Sequence, residues 1–128
     1  IAQNVKDKKI SAKEMTQFYM DRISRDNPKY NAFVTMNTKA LERAEQIDQK
    51  IARGESVGFL AGVPLAIKDL FCTKDLKTTA ASKMLNNFVP PYTATCVKRL
   101  EDEGAVILGK TNMDEFAMGS SNETSIFG

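Results

Sequence analysis

Histidine is absent from this 128-residue sequence, and cysteine occurs only twice. Without histidine, these residues cannot by themselves build a Ser-His-Asp site, a Cys-His site or a histidine-ligated metal centre. Any general base among them is therefore a lysine, a carboxylate or a tyrosine. Cys72 and Cys96 could pair, but we expect reduced thiols because the sequence has no secretory features.

Long runs of one charge and long apolar runs are also missing. The 18 basic and 16 acidic residues give a net charge of +2, and their even spread gives no direct case for nucleic-acid binding. No apolar stretch reaches the ~18 residues of a membrane span, and no signal peptide is visible, so a cytoplasmic location is expected. The sequence begins at Ile1 without an initiator methionine and stops at Gly128 without a helix end, so we expect a piece of a longer protein.

Residues 1–55 are interpreted as a helical packing layer. The first predicted helix begins at a capping box of Ser11 and Glu14 and closes at Asn27–Pro28. A short extended stretch at 32–36 separates it from a second helix at 38–53, which ends before a glycine. The apolar positions of the first helix are Met15, Phe18, Tyr19 and Ile23. Those of the second helix are Leu41, Ala44, Ile47 and Ile51.

Residues 56–128 are interpreted as the start of an α/β core. Twelve uncharged residues precede Lys68, and the last five of them, 63–67, are typical of a buried strand. A long irregular stretch at 70–91 leads to a helix capped by Thr93 or Thr95 and ending at Glu103. A second apolar strand, 105–109, completes a strand-helix-strand unit, which implies parallel pairing. A short helix is predicted at 112–118.

Lys68 has two interpretations. A lysine after an apolar strand can simply mark the point where the chain reaches water. Alternatively, burial at the strand end favours the neutral amine that a general base needs, and the carboxyl ends of parallel strands are where open α/β sheets place their sites. Asp69 would point to the opposite face of the strand and need not neutralise the lysine.

The segment from Phe59 to Gly128 resembles the amidase signature family. Gly62–Asp69 is similar to the stretch that carries the family's catalytic lysine, which falls here on Lys68, and Val106–Met113 matches the family's second strand and turn. The resemblance implies an α/β fold with a mixed, mostly parallel sheet flanked by helices. This chain would form the N-terminal part of that single domain.

Three further segments resemble the members of this family that supply ammonia for tRNA-dependent amidation, namely Ala81–Leu85, Val89–Tyr92 and Met113–Ser121. The resemblance implies a Ser-cis-Ser-Lys triad that hydrolyses the side-chain amide of glutamine. Both serines would lie after Gly128, so the chain alone is expected to be inactive. The implied partners are subunits B and C of the amidotransferase and, through them, Glu-tRNA(Gln). No cofactor is expected in this chain, and ATP and Mg²⁺ are expected at the partner subunit.

The residues after the second strand carry less specific signals. Asp114 and Glu115 are expected on a solvated helix face, and Met84, Met113 and Met118 are expected in the core. The following turn is a candidate wall of the substrate pocket and equally a capped turn with no further role. The turn consists of Met118, Gly119, Ser120 and Ser121.

Two other functions stay open at this point. One is a stand-alone amidase of the same family that acts on another small amide. The other is a non-catalytic α/β interaction module in which Lys68 only ends a strand.

Overall fold

A computed structural model describes all residues, 1–128, and the centre of the fold is a three-stranded sheet. Its strands are β1 (Phe33–Met36), β2 (Pro64–Lys68) and β3 (Val106–Thr111), arranged in the order β1-β3-β2. β3 pairs antiparallel with β1 and parallel with β2. Because β3 is central, its residues 106–110 are all buried, which accounts for its uninterrupted apolar start.

One helix, α4 (Thr95–Asp102), connects β2 to β3 and confirms the predicted strand-helix-strand unit with parallel strands. The predicted threonine cap is wrong: Ala94 occupies the cap position, and no side chain caps the helix. The hydroxyl of Thr93 instead accepts a hydrogen bond from the amide of Lys74 at 3.0 Å. A small core between α4 and the sheet consists of Ile67, Leu76, Val97 and Ile107.

Three helices cover the other face of the sheet: α1 (Ala2–Lys6), α2 (Ala12–Tyr30) and α3 (Ala40–Ala52). The predicted capping box at the start of α2 is present. The carboxylate of Asp48 in α3 also accepts hydrogen bonds from the first two amides of α2, at 2.7 and 3.0 Å, so the two helices are joined at that end. The larger core lies here and consists of Val5, Ala12, Ala40, Ala44, Ile47, Ala61, Val106 and Leu108.

The predicted end and apolar face of α2 need correction. The helix continues through Pro28 to Tyr30 and ends at Asn31, which has a left-handed φ of 48°. A proline removes only one backbone donor, and the next turn is still closed by a 2.7 Å bond from the Asn31 amide to the Asn27 carbonyl. Phe18 is 61% exposed, because the face that packs against the core runs through the smaller Thr16.

The stretch between β2 and α4 is irregular, as predicted, apart from one short 3₁₀ turn at Lys83–Leu85. The predicted placement of three methionines in the core is confirmed only for Met113. Met84 is 84% exposed and Met118 is 77% exposed, because both lie in surface turns.

The outer edge of β2 has no partner strand in this chain. Beside it lies an apolar groove of about 380 Å³ between α2 and the sheet. Side chains that line the groove include Tyr19, Ile23, Tyr30, Pro64, Ala66 and Leu108. Separately, none of the helices combines the length and the apolar character that a membrane span requires.

Gly109 provides a test of how β1 and β3 pack. A Cβ atom at this position would lie 2.4 Å from the carbonyl oxygen of Thr35, so Gly109→Ala must push the two strands apart. We expect the full-length protein to lose about 1–3 kcal/mol of unfolding free energy in a denaturant titration. Gly54→Ala is the comparison, because no atom lies within 4 Å of its Cβ and only the cost of its left-handed φ of 72° remains. A Gly109→Ala protein as stable as the wild type would contradict this packing.

Candidate active site

Lys68 is the last residue of β2 and lies opposite Thr111 at the carboxyl ends of the two parallel strands. This is the location predicted from the sequence. Of the two interpretations of Lys68, the structure shows the exposed strand end and not the buried one, because β2 is the edge of the sheet in this chain and no segment covers it. The catalytic role of Lys68 stays a prediction.

Asp69 is fully buried and its side chain points away from Lys68. Its Oδ2 atom accepts hydrogen bonds from the amide of Thr79 at 3.1 Å and from the Thr79 hydroxyl. Its main chain is held as well, since its N–H donates to Thr111 and its carbonyl accepts from Ala80, at 3.0 and 2.9 Å. No ion pair joins Asp69 to Lys68, as expected from strand alternation.

The segment 79–82 connects the end of β2 to the last turns of the chain. The Ala80 carbonyl accepts from the amide of Phe116 at 2.9 Å, and the Ala81 carbonyl accepts from Ile126 at 3.2 Å. Both alanines are buried and have left-handed φ values of 49° and 51°, which non-glycine residues rarely adopt. Strained backbone held by its surroundings is found most often at functional sites. Nothing in the sequence pattern indicated this feature.

The turn Met118–Ser121 is exposed and is organised by a buried carboxylate. Asp114 accepts hydrogen bonds from the amides of Ser121 and Asn122, at 3.1 and 3.0 Å, and from the hydroxyl of Thr124 at 3.1 Å. These bonds, with that of the Asn122 amide the strongest, hold the pKa of Asp114 below its ordinary value. A substrate role for Met118, Gly119, Ser120 and Ser121 stays a prediction.

The predictions for Asp114 and Glu115 are wrong. The predicted helix at 112–118 is reduced to a 3₁₀ turn at Glu115–Ala117, interrupted by a left-handed Phe116 with a φ of 52°. Asp114 is 5% exposed, and Glu115 accepts a 2.6 Å hydrogen bond from the hydroxyl of buried Ser82. Both acids therefore bind the surrounding segments and do not form a solvated face.

No hydrogen bond or ion pair joins the side chain of Lys68 to the Met118–Ser121 turn. The two are connected through Asp69 and the segment 79–82, whose carbonyl groups bind the residues on either side of the turn. The structure thus places both predicted regions on one continuous hydrogen-bond network. It does not show them in direct contact.

Lys110 is a functional candidate that sequence reasoning missed. It lies on β3, is fully buried, and its ammonium group donates to the carbonyl of Phe71 and to the hydroxyls of Thr73 and Thr78, at 3.2 and 3.1 Å for the hydroxyls. Burial lowers its pKa from 10.5 to about 8, while the nearby charge of Asp69 acts in the opposite direction. The one available signal was a lysine following an apolar strand, which is the same pattern that singled out Lys68.

Cys72 and Cys96 are free, as expected. The thiol of Cys72 lies 3.5 Å from the hydroxyl of Tyr92, and this contact raises the pKa of Tyr92. No group of three or more histidine, cysteine or acidic residues is placed to hold a metal ion.

Comparison with known proteins identifies the family of this chain. Residues 14–128 match the family model described as Amidase. Over its whole length the chain is 58% identical to a Bdellovibrio bacteriovorus protein, the A subunit of glutamyl-tRNA(Gln) amidotransferase, of which it covers 26%.

Two solved structures are also similar to this chain. One is the A subunit of glutamyl-tRNA(Gln) amidotransferase from Thermotoga maritima, with a TM-score of 0.73 and 34% identity over 91% of this chain and 23% of that one. The other is the peptide amidase from Stenotrophomonas maltophilia, with a TM-score of 0.87 and 34% identity over 95% of this chain and 26% of that one. The chain thus spans about a quarter of the length of these relatives.

The role of Asp114 can be tested with Asp114→Asn, which keeps the size of the side chain but removes its charge and one acceptor oxygen. In the full-length protein we expect a lower melting temperature and faster proteolysis at residues 118–124. Asp102→Asn, on the exposed surface of α4, is the matched control. Because the pKa of Asp114 is lowered, its contribution to stability is complete above its ordinary value of 3.8 and is lost as pH falls through the folded-state value.

The stability difference between wild type and Asp114→Asn should therefore shrink at the acidic end of this range. If the difference instead stays constant from pH 7 to the lowest pH at which the protein folds, the charged form of Asp114 does not stabilise this turn.

Proposed function

Since the chain belongs to the amidase family, we propose that the complete protein is the A subunit of a glutamyl-tRNA(Gln) amidotransferase. In this proposal it hydrolyses the side-chain amide of glutamine and supplies the ammonia that converts Glu-tRNA(Gln) to Gln-tRNA(Gln). The observation that carries the proposal is the 58% identity with the Bdellovibrio bacteriovorus protein over the full length of this chain. That similarity includes Gly62–Asp69, which ends at the strand terminus where Lys68 lies.

Lys68 is proposed to act as the general base of a Ser-cis-Ser-Lys triad. Its neutral amine takes a proton through a bridging serine as a second serine forms a bond to the amide carbon. The proton then passes to the amide nitrogen, which leaves as ammonia when the carbon–nitrogen bond breaks. Water then releases glutamate. The position of Lys68 at the carboxyl ends of two parallel strands supports this role, and in the proposal later residues of the domain cover its exposed side chain. Without those serines, the 128-residue chain alone is proposed to be inactive.

The assembly is part of the same proposal. Residues 1–55 would form a helical packing layer and residues 56–128 the start of the catalytic core, within one amidase domain that continues after this chain. Subunits B and C would complete a cytoplasmic heterotrimer, and the subunit that holds Glu-tRNA(Gln) would also bind ATP and Mg²⁺. The near-neutral net charge of +2 supports such a division, since it gives no direct case for tRNA binding by this chain.

A stand-alone amidase acting on another small amide is the second candidate. One observation favours it, namely that the TM-score is higher for the peptide amidase, at 0.87, than for the Thermotoga maritima amidotransferase structure, at 0.73. The sequence identity is 34% to both solved structures and does not separate the two functions.

Replacement of Lys68 tests the catalytic proposal. In the full-length protein, Lys68→Ala should reduce kcat for glutamine hydrolysis by at least about 10²-fold, since proton transfer by a positioned side chain contributes typically that much or more. Ammonia release is the measurement, and Lys98→Ala on the exposed face of α4 is the control. Wild-type turnover by a folded Lys68→Ala protein would reject Lys68 as the general base, whereas a folded wild-type protein that releases no ammonia from any amide would favour the non-catalytic interaction module.

The proposed assembly can be tested separately. Expressed in its own host, the full-length protein should co-purify with two further subunits, and added Glu-tRNA(Gln) with ATP and Mg²⁺ should stimulate its release of ammonia from glutamine. A monomer that hydrolyses other small amides and ignores charged tRNA would establish the stand-alone amidase.

A further inference from the structure

Lys110 and Lys68 occupy neighbouring strands but opposite faces of the sheet, and an irregularity in the strand pairing causes this. β2 and β3 pair as Leu65 with Ile107, but the next pair is Ala66 with Gly109, so β3 contains one extra residue. Lys110 is therefore opposite Ile67, one residue before Lys68. Without the bulge the two lysines would be paired and would point to the same face.

The three oxygen atoms that Lys110 binds all belong to the segment that follows Lys68. An ammonium group has three donors, and the Phe71 carbonyl with the Thr73 and Thr78 hydroxyls uses all three. The titratable groups near the ammonium are Asp69 and Cys72. No carboxylate forms an ion pair with it.

These contacts reach Lys68 through a single turn. The amide of Phe71 donates to the carbonyl of Lys68 at 3.1 Å, and the carbonyl of the same Phe71 is held by Lys110. The peptide after Lys68 is fixed by the bonds of Asp69 to Thr111 and Ala80. On the basis of the proposed function, we infer that Lys110 is a positioning residue that sets the direction of the catalytic Lys68 by fixing the chain directly after it.

A contribution to stability alone does not explain a lysine at this position. Burying an ammonium without a carboxylate partner costs free energy, as its lowered pKa shows. A methionine would leave no donor unsatisfied, because Thr73 donates to the Phe71 carbonyl at 3.2 Å and Thr78 donates to the Leu76 carbonyl at 3.0 Å. Lys110→Met should therefore retain the fold but lose the link to the turn at Phe71.

The test compares full-length wild type, Lys110→Met and Lys110→Gln, assembled with any subunits that co-purify. We expect Lys110→Met to keep its melting temperature within about 2 °C of the wild type. Its kcat should fall about 10- to 100-fold with KM changed less than about threefold, because a small misplacement of a reacting group costs this much. Lys110→Gln keeps two donors and should recover part of the loss. Lys98→Met, an exposed lysine changed in the same way, should behave as wild type.

An unchanged kcat in folded Lys110→Met would overturn the inference, and so would a loss that is accounted for by the unfolded fraction. If Lys110→Met does not fold, Thr78→Val decides, because it removes one acceptor and keeps the lysine. A several-fold lower kcat supports the positioning role, and wild-type turnover by folded Thr78→Val rejects it.

Amide hydrogen exchange gives a readout that does not depend on the substrate. In Lys110→Met the amides of Asp69 and Phe71 should exchange at least about tenfold faster, because local opening is less opposed. Unchanged exchange would reject the inference even if the wild type hydrolyses no glutamine. Failure of wild-type glutaminase activity, in contrast, would reject the proposed function while leaving the exchange result to decide on Lys110.

Discussion

A buried carboxylate at the end of β2 is the interaction on which the candidate site depends. The side chain of Asp69 binds the amide and hydroxyl of Thr79, while its main chain binds Thr111 on one side and Ala80 on the other. One residue thereby joins β2, β3 and the segment that leads to the last turns of the chain. The Oδ2 atom accepts both side-chain bonds, while the buried Oδ1 atom has no hydrogen-bond partner in this chain. The position of Lys68 is consequently determined by its neighbour, since its own side chain makes no hydrogen bond within this chain.

A one-residue bulge in β3 gives two lysines on adjacent strands opposite environments. Lys68 is exposed at an open sheet edge, where a general base would be reached by residues outside this chain. Lys110 is enclosed between the sheet and the irregular stretch, with every donor in use. The extra residue of β3, between Ile107 and Gly109, places the two lysines on opposite faces of the sheet. Location at a strand end is therefore shared by both residues, and only the contacts distinguish a proposed base from a positioning group.

Local sequence patterns predicted much of the fold but few of the buried contacts that hold the candidate site. The capping box at Ser11, the two apolar strands and their parallel pairing follow from side-chain spacing, which depends on near neighbours in the sequence. The burial of Asp114 depends on the turn that folds back over it, and that of Lys110 on the irregular stretch that packs against β3. Hydrophobic periodicity does not indicate either contact. The sequence pattern allowed both an exposed and a buried Lys68 and could not choose between them, because its exposure depends on which strands the chain contains. The left-handed backbone of Ala80 and Ala81 could not be predicted either. A glycine at such a position would indicate a positive φ, but an alanine does not.

The central claim is that Lys68 is the base of a serine-based amidase site assembled at the open edge of β2. A crystal structure of the full-length protein tests this most directly. We predict the Nζ atom of Lys68 within about 3 Å of the hydroxyl of a serine that follows Gly128, with the bonds of Asp69 to Thr79 and Ala80 unchanged. A Lys68 side chain that extends into solvent, with no serine hydroxyl near it and another group lining the amide-binding pocket, would contradict it.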